Sequence, residues 1–259
     1  MEIITSGDNS RIKQYRRLFA EKKFRLREGL FVTEGARLTA DAAREGAGLE
    51  YVLVSSSGAE HFPDEVQKIS DSCKVYMISD RLADMLSGTR TTQGIFGVCR
   101  IPEIRNAAQC GITHGMRIVV LDDVQDPGNM GTILRTADAC GVDRVVLCGC
   151  CDEYSPKAVR SAMGSVLRVK PVHDTFENTV SVLKENGIKV WAAVINGGTD
   201  LLKAHLGSGA GVIIGNEGSG ISPQHAQMAD EGLTISMHGS IESLNAAMAA
   251  GIIMWELTK

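Results

Sequence analysis

Gly215-Asn216-Glu217-Gly218-Ser219-Gly220 follows the apolar triplet Val212 to Ile214. A short buried strand that breaks at a glycine and hands over to polar residues marks a strand's carboxyl end. In open α/β sheets the crevice past such ends is where ligands bind. The same form recurs downstream: apolar Leu233 to Met237, then Gly239, then Glu242-Ser243-Leu244-Asn245, read as an acidic helix start. Two strand ends of this kind predict two walls of one pocket. Glycine after a strand is also ordinary turn chemistry, so the hexapeptide alone leaves both readings level. It is not a dinucleotide fingerprint, because glycines at 215, 218 and 220 have the wrong spacing for G-x-G-x-x-G.

The chain around these stretches alternates strands and helices. Predicted strands cover Arg117 to Val124, Arg144 to Cys148, Val169 to Val172, Lys189 to Ile195, 212–214 and 233–237. Helices are expected at Gly131 to Cys140, Pro156 to Leu167, Phe176 to Asn186, from Pro223, and from Glu242 to Leu257. Lys189 to Ile195 is almost continuously apolar, as in a parallel sheet covered on both faces. Before Pro102 the same alternation predicts a smaller α/β domain, with strands at 31–33, 51–55, 74–79 and 95–101. Pro102 to Gly115 lacks periodicity and reads as a linker. The expected domains are therefore 1–101 and 116–259, joined by 102–115.

Residues 10–28 read as one basic helix. Arg11, Lys13, Arg16, Arg17, Lys22, Lys23, Arg25 and Arg27 face only Glu21 and Glu28, and Ile12, Tyr15, Leu18 and Phe19 form an anchoring stripe. Such a run is either a solvated face or a phosphate-contacting surface. The net charge is −4, so contact with nucleic acid has to come from a local patch of this kind. Hydrophobic content of 44% and charge of 22% are those of an ordinary globular chain. Seven scattered cysteines in a chain of this size argue against a disulfide framework. Cys148-Gly149-Cys150-Cys151 lacks a second ligand pair, so no metal is expected. The start Met1-Glu2-Ile3-Ile4-Thr5 is not a signal peptide and Ala246 to Trp255 is too short to span a bilayer, so the expectation is a cytoplasmic protein.

A third stretch, Asp126-Pro127-Gly128-Asn129-Met130-Gly131-Thr132-Ile133-Leu134-Arg135-Thr136-Ala137, lies between the first strand and helix of the second domain. Asn129 can cap that helix and Gly141 can end it. Arg135 can aim a fork of donors at phosphate or carboxylate, or form a plain salt bridge. Asn129-x-Gly131-x-Ile133-x-Arg135-Thr136-Ala137, Gly215-Asn216-Glu217-Gly218-x-Gly220 and Ile235-x-Met237-x-Gly239-x-x-Glu242-Ser243-Leu244-Asn245 together resemble the three motifs of the SpoU (TrmH-like) family in the SPOUT superfamily. Glu34-Gly35-x-Arg37-Leu38 and its α/β pattern resemble, more weakly, that family's substrate-binding domain, which is like ribosomal protein L30e. The chain departs from the family at Ala246-Ala247-Met248-Ala249, where a second serine is common, and at Ser236, where a proline is usual.

The resemblance implies an RNA ribose 2′-O-methyltransferase that uses S-adenosylmethionine. It implies a methyltransferase domain tied in a trefoil knot, which periodicity does not reveal. Cofactor-binding positions carried over are Gly215, Asn216, Gly218, Ile235, Met237, Leu244 and Asn245. Catalytic positions are Arg135, Asn129, Glu217, Ser243 and Asn245, with Asn129 orienting Arg135 or the ribose and Glu217 holding Arg135. The RNA-binding set is Arg11, Lys13, Arg16, Arg17, Lys22, Lys23, Arg25 and Arg37. Ribosomal (23S) RNA is the expected substrate, with tRNA and a non-catalytic RNA-binding protein as alternatives. A homodimer through the second domain is expected, because the final helix is apolar around most of its circumference.

Overall fold

The computed structural model describes residues 3–103, 105–207 and 209–259. They form two compact units, Met1–Pro102 with Asp152–Arg168, and Glu103–Cys151 with Val169–Lys259.

The first unit is built on a mixed sheet of β1 (Ile3–Ile4), β2 (Leu30–Glu34), β3 (Leu49–Ser55), β4 (Val75–Ile78) and β5 (Ile95–Arg100), in the order β1-β4-β3-β5-β2. β5 runs antiparallel to β2 and β3, while β3 and β1 are parallel to β4. Successive residues of β3 feed opposite faces, as the period of two requires. Tyr51 and Leu53 join one core with Ile12, Tyr15, Leu18 and Phe96, whereas Val52 and Val54 join another with Val66 and Ile69. The covering helices are α1 (Ser10–Ala20), α2 (Lys22–Glu28), α3 (Ala36–Arg44), α4 (Ser56–His61), α5 (Pro63–Ser70) and α6 (Asp80–Leu86).

The single helix expected over 10–28 is two. α1 ends at Ala20, and Glu21 is extended at φ −115° and ψ 107°. An unbroken helix would bond the Leu18 and Phe19 carbonyls to the amides of Lys22 and Lys23. Instead Arg25 Nη1 donates to both, at 2.6 and 3.3 Å. The guanidinium of Arg25 thus satisfies carbonyls that a helix end leaves open.

In the second unit β6 (Ile118–Asp122) leads to α7 (Pro127–Cys140) and β7 (Arg144–Cys148). The chain then passes through the first unit as α8 (Pro156–Ala162) and α9 (Ser165–Val169), which bracket Met163 in the left-handed region. The helix expected at 156–167 is therefore divided, and its residues pack with the first unit, outside the 116–259 domain expected to contain them. Burial explains the placement: Tyr154 lies against Phe31 with ring centroids 4.9 Å apart, and Arg160 pairs with Glu34 at 2.9 Å. The chain continues with β8 (Val172–His173), α10 (Phe176–Glu185), β9 (Lys189–Ala193), β10 (Thr199–Asp200), β11 (Ala210–Ile214), α11 (Pro223–Met228), β12 (Glu231–Thr234) and α12 (Ala246–Leu257). The strand expected over 169–172 starts three residues later, because α9 runs to Val169.

All strand pairings of this second sheet are parallel, in the order β10-β12-β9-β11-β6-β7-β8. From β6 the order proceeds to β7 and β8 on one side and to β11, β9 and β12 on the other, a reversal that leaves a crevice at the strands' carboxyl ends. Ile118, Val120, Val146, Val190 and Ile213 are fully buried in the core on one face. Ala107, Cys110 and Ile112 pack into that core, so part of the stretch read as a linker belongs to this unit.

Candidate active site

β11 ends at Ile214, and Gly215 then lies against the returning strand of its own loop. A Cβ at Gly215 would meet the Gly220 carbonyl carbon at 2.4 Å, so this approach admits glycine alone. Asn216 and Gly220 close the loop by exchanging backbone hydrogen bonds of 3.1 and 3.0 Å. Inside it, Asn216 Oδ1 accepts from the amides of Gly218 at 2.9 Å and Ser219 at 3.1 Å. Asn216 Nδ2 donates to the Asp123 carbonyl at 2.9 Å. Asp123 is a non-glycine residue at φ 59°, a conformation that persists only where neighbours enforce it. Here Asn216 and Gln125, whose Nε2 donates to Asp123 Oδ1 at 2.6 Å, do so. The far end of the loop is fixed too. His225 Nδ1 lies 2.7 Å from Asp122 Oδ2, and its ring stacks on Phe176 at 3.9 Å.

Glu217 reaches from this loop to the start of α7. Its carboxylate accepts from the amides of Gln125 at 3.1 Å and Asp126 at 2.9 Å, and from Asn129 Nδ2 at 3.0 Å. Partial burial pushes the Glu217 carboxyl up, but these donors outweigh it and hold the group below the ordinary glutamate range. The helix cap is Asp126, whose side chain accepts from the Asn129 amide at 2.9 Å. Asn129, expected as a cap, is thereby left free for side-chain contacts. Its Oδ1 accepts from Asn245 Nδ2 at 3.0 Å. Asn245 in turn caps α12, its oxygen accepting from Ala247 at 2.9 Å and Met248 at 3.3 Å. The final helix consequently starts at Ala246, four residues later than expected. One chain of hydrogen bonds, Asn245 to Asn129 to Glu217, joins all three motifs.

Beside this chain lies a cavity of about 220 Å³ at the ends of β9, β11 and β12. Gly215, Asn216, Gly218, Ile235, Met237, Leu244 and Ser243 line it, as does Glu217. Of the expected cofactor positions Asn245 alone is outside the lining. β12 stops at Thr234, so Ile235 and Met237 sit in a loop and not in the predicted strand. That loop is held at Ser236, whose hydroxyl donates to Asp200. The lining also includes Val194 and Ile195, which sequence reasoning missed. They follow β9, so the rule applied to the ends of the two later strands would have found them. Asp122, Asp123, Gln125 and His225 were missed as well. No motif marks them, because their role depends on which loops meet.

Other candidates lie apart from the cavity lining. Arg135 is exposed on α7, with no hydrogen bond or ion pair among the described residues, and the expected contact with Glu217 is absent there. In the basic segment Arg16, Lys22 and Lys23 are exposed, as is Arg37 on α3. Lys13 pairs with Asp8 at 2.9 Å, Arg17 with Glu21 at 3.1 Å, and Arg11 lies 4.0 Å from the centre of the Tyr76 ring. Arg25 corrects the expectation. It is 4% exposed, and its Nε and Nη2 donate to Asp152 Oδ2 at 2.9 and 2.5 Å, so it has no face to offer RNA. Among the described residues the seven cysteines form no disulfide. Burial pushes Cys148 up to about 11 and Cys150 up to about 12, which keeps both protonated at neutral pH.

Comparison with known proteins agrees with this geometry. A family model described as the SpoU rRNA Methylase family matches residues 116–255, and one described as an MRM3-like substrate binding domain matches residues 9–97. RlmP of Bacillus subtilis, a 23S rRNA (guanosine(2553)-2'-O)-methyltransferase, is 31% identical over 258 residues, 99% of each chain. The crystal structure of an AdoMet-bound rRNA methyltransferase from Sinorhizobium meliloti superposes with a TM-score of 0.87 at 27% identity, covering 99% of this chain and 97% of that one. The SpoU methyltransferase AviRb from Streptomyces viridochromogenes, in complex with AdoMet, gives 0.86 at 25% identity, covering 96% and 97%. With a methylase-family match over more than half its length and a relative aligned end to end, the chain belongs to the SpoU rRNA Methylase family of S-adenosylmethionine-dependent RNA 2′-O-methyltransferases.

Proposed function

We propose that this protein methylates a ribose 2′-hydroxyl of ribosomal RNA, with S-adenosylmethionine held in the cavity at the ends of β9, β11 and β12. The observation that carries the reading is the hydrogen-bonded chain Asn245–Asn129–Glu217, which draws three separate motifs to one edge of that cavity. The lining suits the cofactor. Gly218 has room for close approach of its backbone to a ligand, Ile235 and Leu233 offer apolar surface to an adenine, and Ser243 and Glu242 add polar contacts. When bound, S-adenosylmethionine supplies an electrophilic methyl group.

The protein's residues do the rest by positioning, which suits an in-line displacement. Arg135 keeps its proton and cannot serve as base. Its free guanidinium binds the substrate phosphate and stabilises charge developing on the 2′-oxygen. Glu217, with its carboxyl held low, is a poor proton acceptor. It fixes Asn129 at the start of α7, and Asn129 orients the ribose. The 2′-oxygen proton passes to the substrate phosphate or to solvent.

Residues 1–101 present the RNA through the exposed cations of the basic segment. The trefoil knot that the resemblance implies belongs to the same proposal, supported by β11 lying between β9 and β6 and by α12 packing on α7. So do a homodimer, argued below, and a cytoplasmic location. Among the described residues no helix is long and apolar enough to cross a membrane. Transfer of labelled methyl groups from S-adenosylmethionine to 23S rRNA, with the product mapped by 2′-O-methyl-sensitive sequencing, tests the reading. Labelling of tRNA with 23S rRNA unmodified would replace the substrate. Cofactor binding without transfer to any RNA would reduce the protein to an RNA-binding module.

A further inference from the structure

The first unit carries a recess of its own, between the second half of α1 and the end of α6. Its volume is about 470 Å³, within the ~300–1,000 Å³ range of small-ligand clefts. Its lining sorts into two chemistries. Phe19, Met85 and Leu86 form an apolar wall, and Lys13, Arg16 and Arg17 form a basic rim, in which Lys13 is also paired with the exposed Asp8 at 2.9 Å. The one carboxylate in the lining, Glu21, is already neutralised by two hydrogen bonds of 3.1 Å from Arg17. Arg16 is exposed and has no ion pair among the described residues. Met85 is 45% exposed, a large apolar side chain left open beside cations.

The recess is also built to keep its shape. The Gly88 backbone presses on the Phe19 ring so closely that a Cβ there would meet it at 2.6 Å. The neighbouring Ser87 hydroxyl donates to Glu34 at 2.6 Å, and Arg160 holds the same carboxylate at 2.9 Å. A duplex backbone would need a flat basic face and would leave the apolar wall open. A base splayed from its strand fits both parts, lying on aromatic and thioether surface while its flanking phosphates meet cations.

We infer that this recess receives one unpaired nucleotide of the RNA substrate, its base against Phe19 and Met85 and its phosphates on Lys13 and Arg16. The inference rests on RNA being the substrate, as proposed above. The test uses the full-length protein and two labelled RNA hairpins, identical except that one carries a single bulged uridine. Fluorescence anisotropy should show the bulged hairpin bound about tenfold more tightly. Met85→Ser should abolish that preference while leaving affinity for the fully paired hairpin unchanged, and Met85→Leu should keep it. Arg16→Ala should weaken the bulged hairpin more than the fully paired one. With 5-iodouridine at the bulge, photocrosslinks should fall within residues 13–21 or 85–87. Equal affinity of the wild-type protein for both hairpins, or a preference that survives Met85→Ser, overturns the recess and leaves the methyltransferase reading standing. A wild-type protein that binds S-adenosylmethionine but neither hairpin nor ribosomal RNA removes the RNA reading itself, and the recess with it.

Discussion

Glu217 shows how a single side chain can tie two loops of a site together. Three donors converge on its carboxylate, two of them backbone amides at the start of α7, where the helix dipole also favours negative charge. Replacing it by glutamine removes the charge and sets an amide donor against donors. Charge-assisted hydrogen bonds contribute about 1.5–3 kcal/mol each, so Glu217→Gln should weaken S-adenosylmethionine binding by about tenfold or more in calorimetry. The pH dependence has a defined sign. The native carboxyl lies below its unfolded value of about 4.3, so the stabilisation is complete above that pH. It is lost as pH falls through the depressed native value. Stability in urea denaturation should therefore be level from about pH 7 to 5 with respect to this group and decline as pH falls below the ordinary glutamate range, and that decline should be missing in Glu217→Gln. Arg135 behaves differently, because its side chain makes no hydrogen bond or ion pair among the described residues. Arg135→Ala should reduce methyl transfer about 10²- to 10³-fold, as loss of a transition-state donor does, with cofactor affinity and thermal midpoint unchanged. Near-full turnover by that variant would take Arg135 out of the mechanism.

At the scale of the element, the α1–α2 break turns on Arg25. Its guanidinium closes the end of α1 and pairs with Asp152, which is 9% exposed. Removing one member of a buried pair leaves the other charged and unpaired, at a cost of about 3–5 kcal/mol. Arg25→Ala should lower stability by that amount in urea denaturation, and Arg25→Met with Asp152→Leu should recover part of it. The outward cations of the same helices stabilise nothing comparable. Neutralising Arg16, Arg17, Lys22 and Lys23 together should leave the fold intact and flatten the salt dependence of RNA binding. The slope should fall by about 0.7–0.9 for each phosphate that is no longer neutralised. Arg17 should contribute least, since it is engaged with Glu21 and lies 3.8 Å from the Phe24 ring centre. An unchanged slope would make the segment a solvated face.

At the scale of the whole molecule, α12 poses the open question of assembly. Ala247, Ala250, Ile253, Met254 and Leu257 are buried, and the helix packs on α7 and β11. Met248, Ile252 and Trp255 lie at i, i+4 and i+7 on the other side, and Trp255 is 62% exposed. Fully covering such a side chain stabilises by about 1.5–3 kcal/mol, and the homodimer proposed above would cover this face. Because Asn245 both caps α12 and holds Asn129, assembly and catalysis should be coupled. Light scattering of the full chain is expected to give twice the chain mass. Trp255→Glu should give a monomer with weakened methyl transfer. A fully active wild-type monomer at micromolar concentration would exclude the dimer.

The sequence by itself determined the strand-helix alternation of both sheets and the regions where strands hand over to loops, though not their last residues. Those are local properties: an almost continuous apolar run such as Lys189 to Ile195, the stripe Ile12, Tyr15 and Leu18, and a glycine at 215 that breaks the strand. It also identified the two cavity walls that are strand ends followed by their own loops, at 215–218 and 235–244, but not Val194 and Ile195 beyond β9. What it did not determine were the partners. Arg25 looks like its exposed neighbours in sequence, and only the approach of Asp152, 127 positions away, buries it. Asn129 has the chemistry of a cap, and Asp126 took that role because the helix began one turn earlier. The segment 152–168 has ordinary helical periodicity, yet its apolar face is covered by β2 and not by the sheet its flanking strands join. The physical reason is the same in each case. Periodicity shows that a face must be buried or a polar group paired, whereas which distant residue does so is settled when the chain closes on itself.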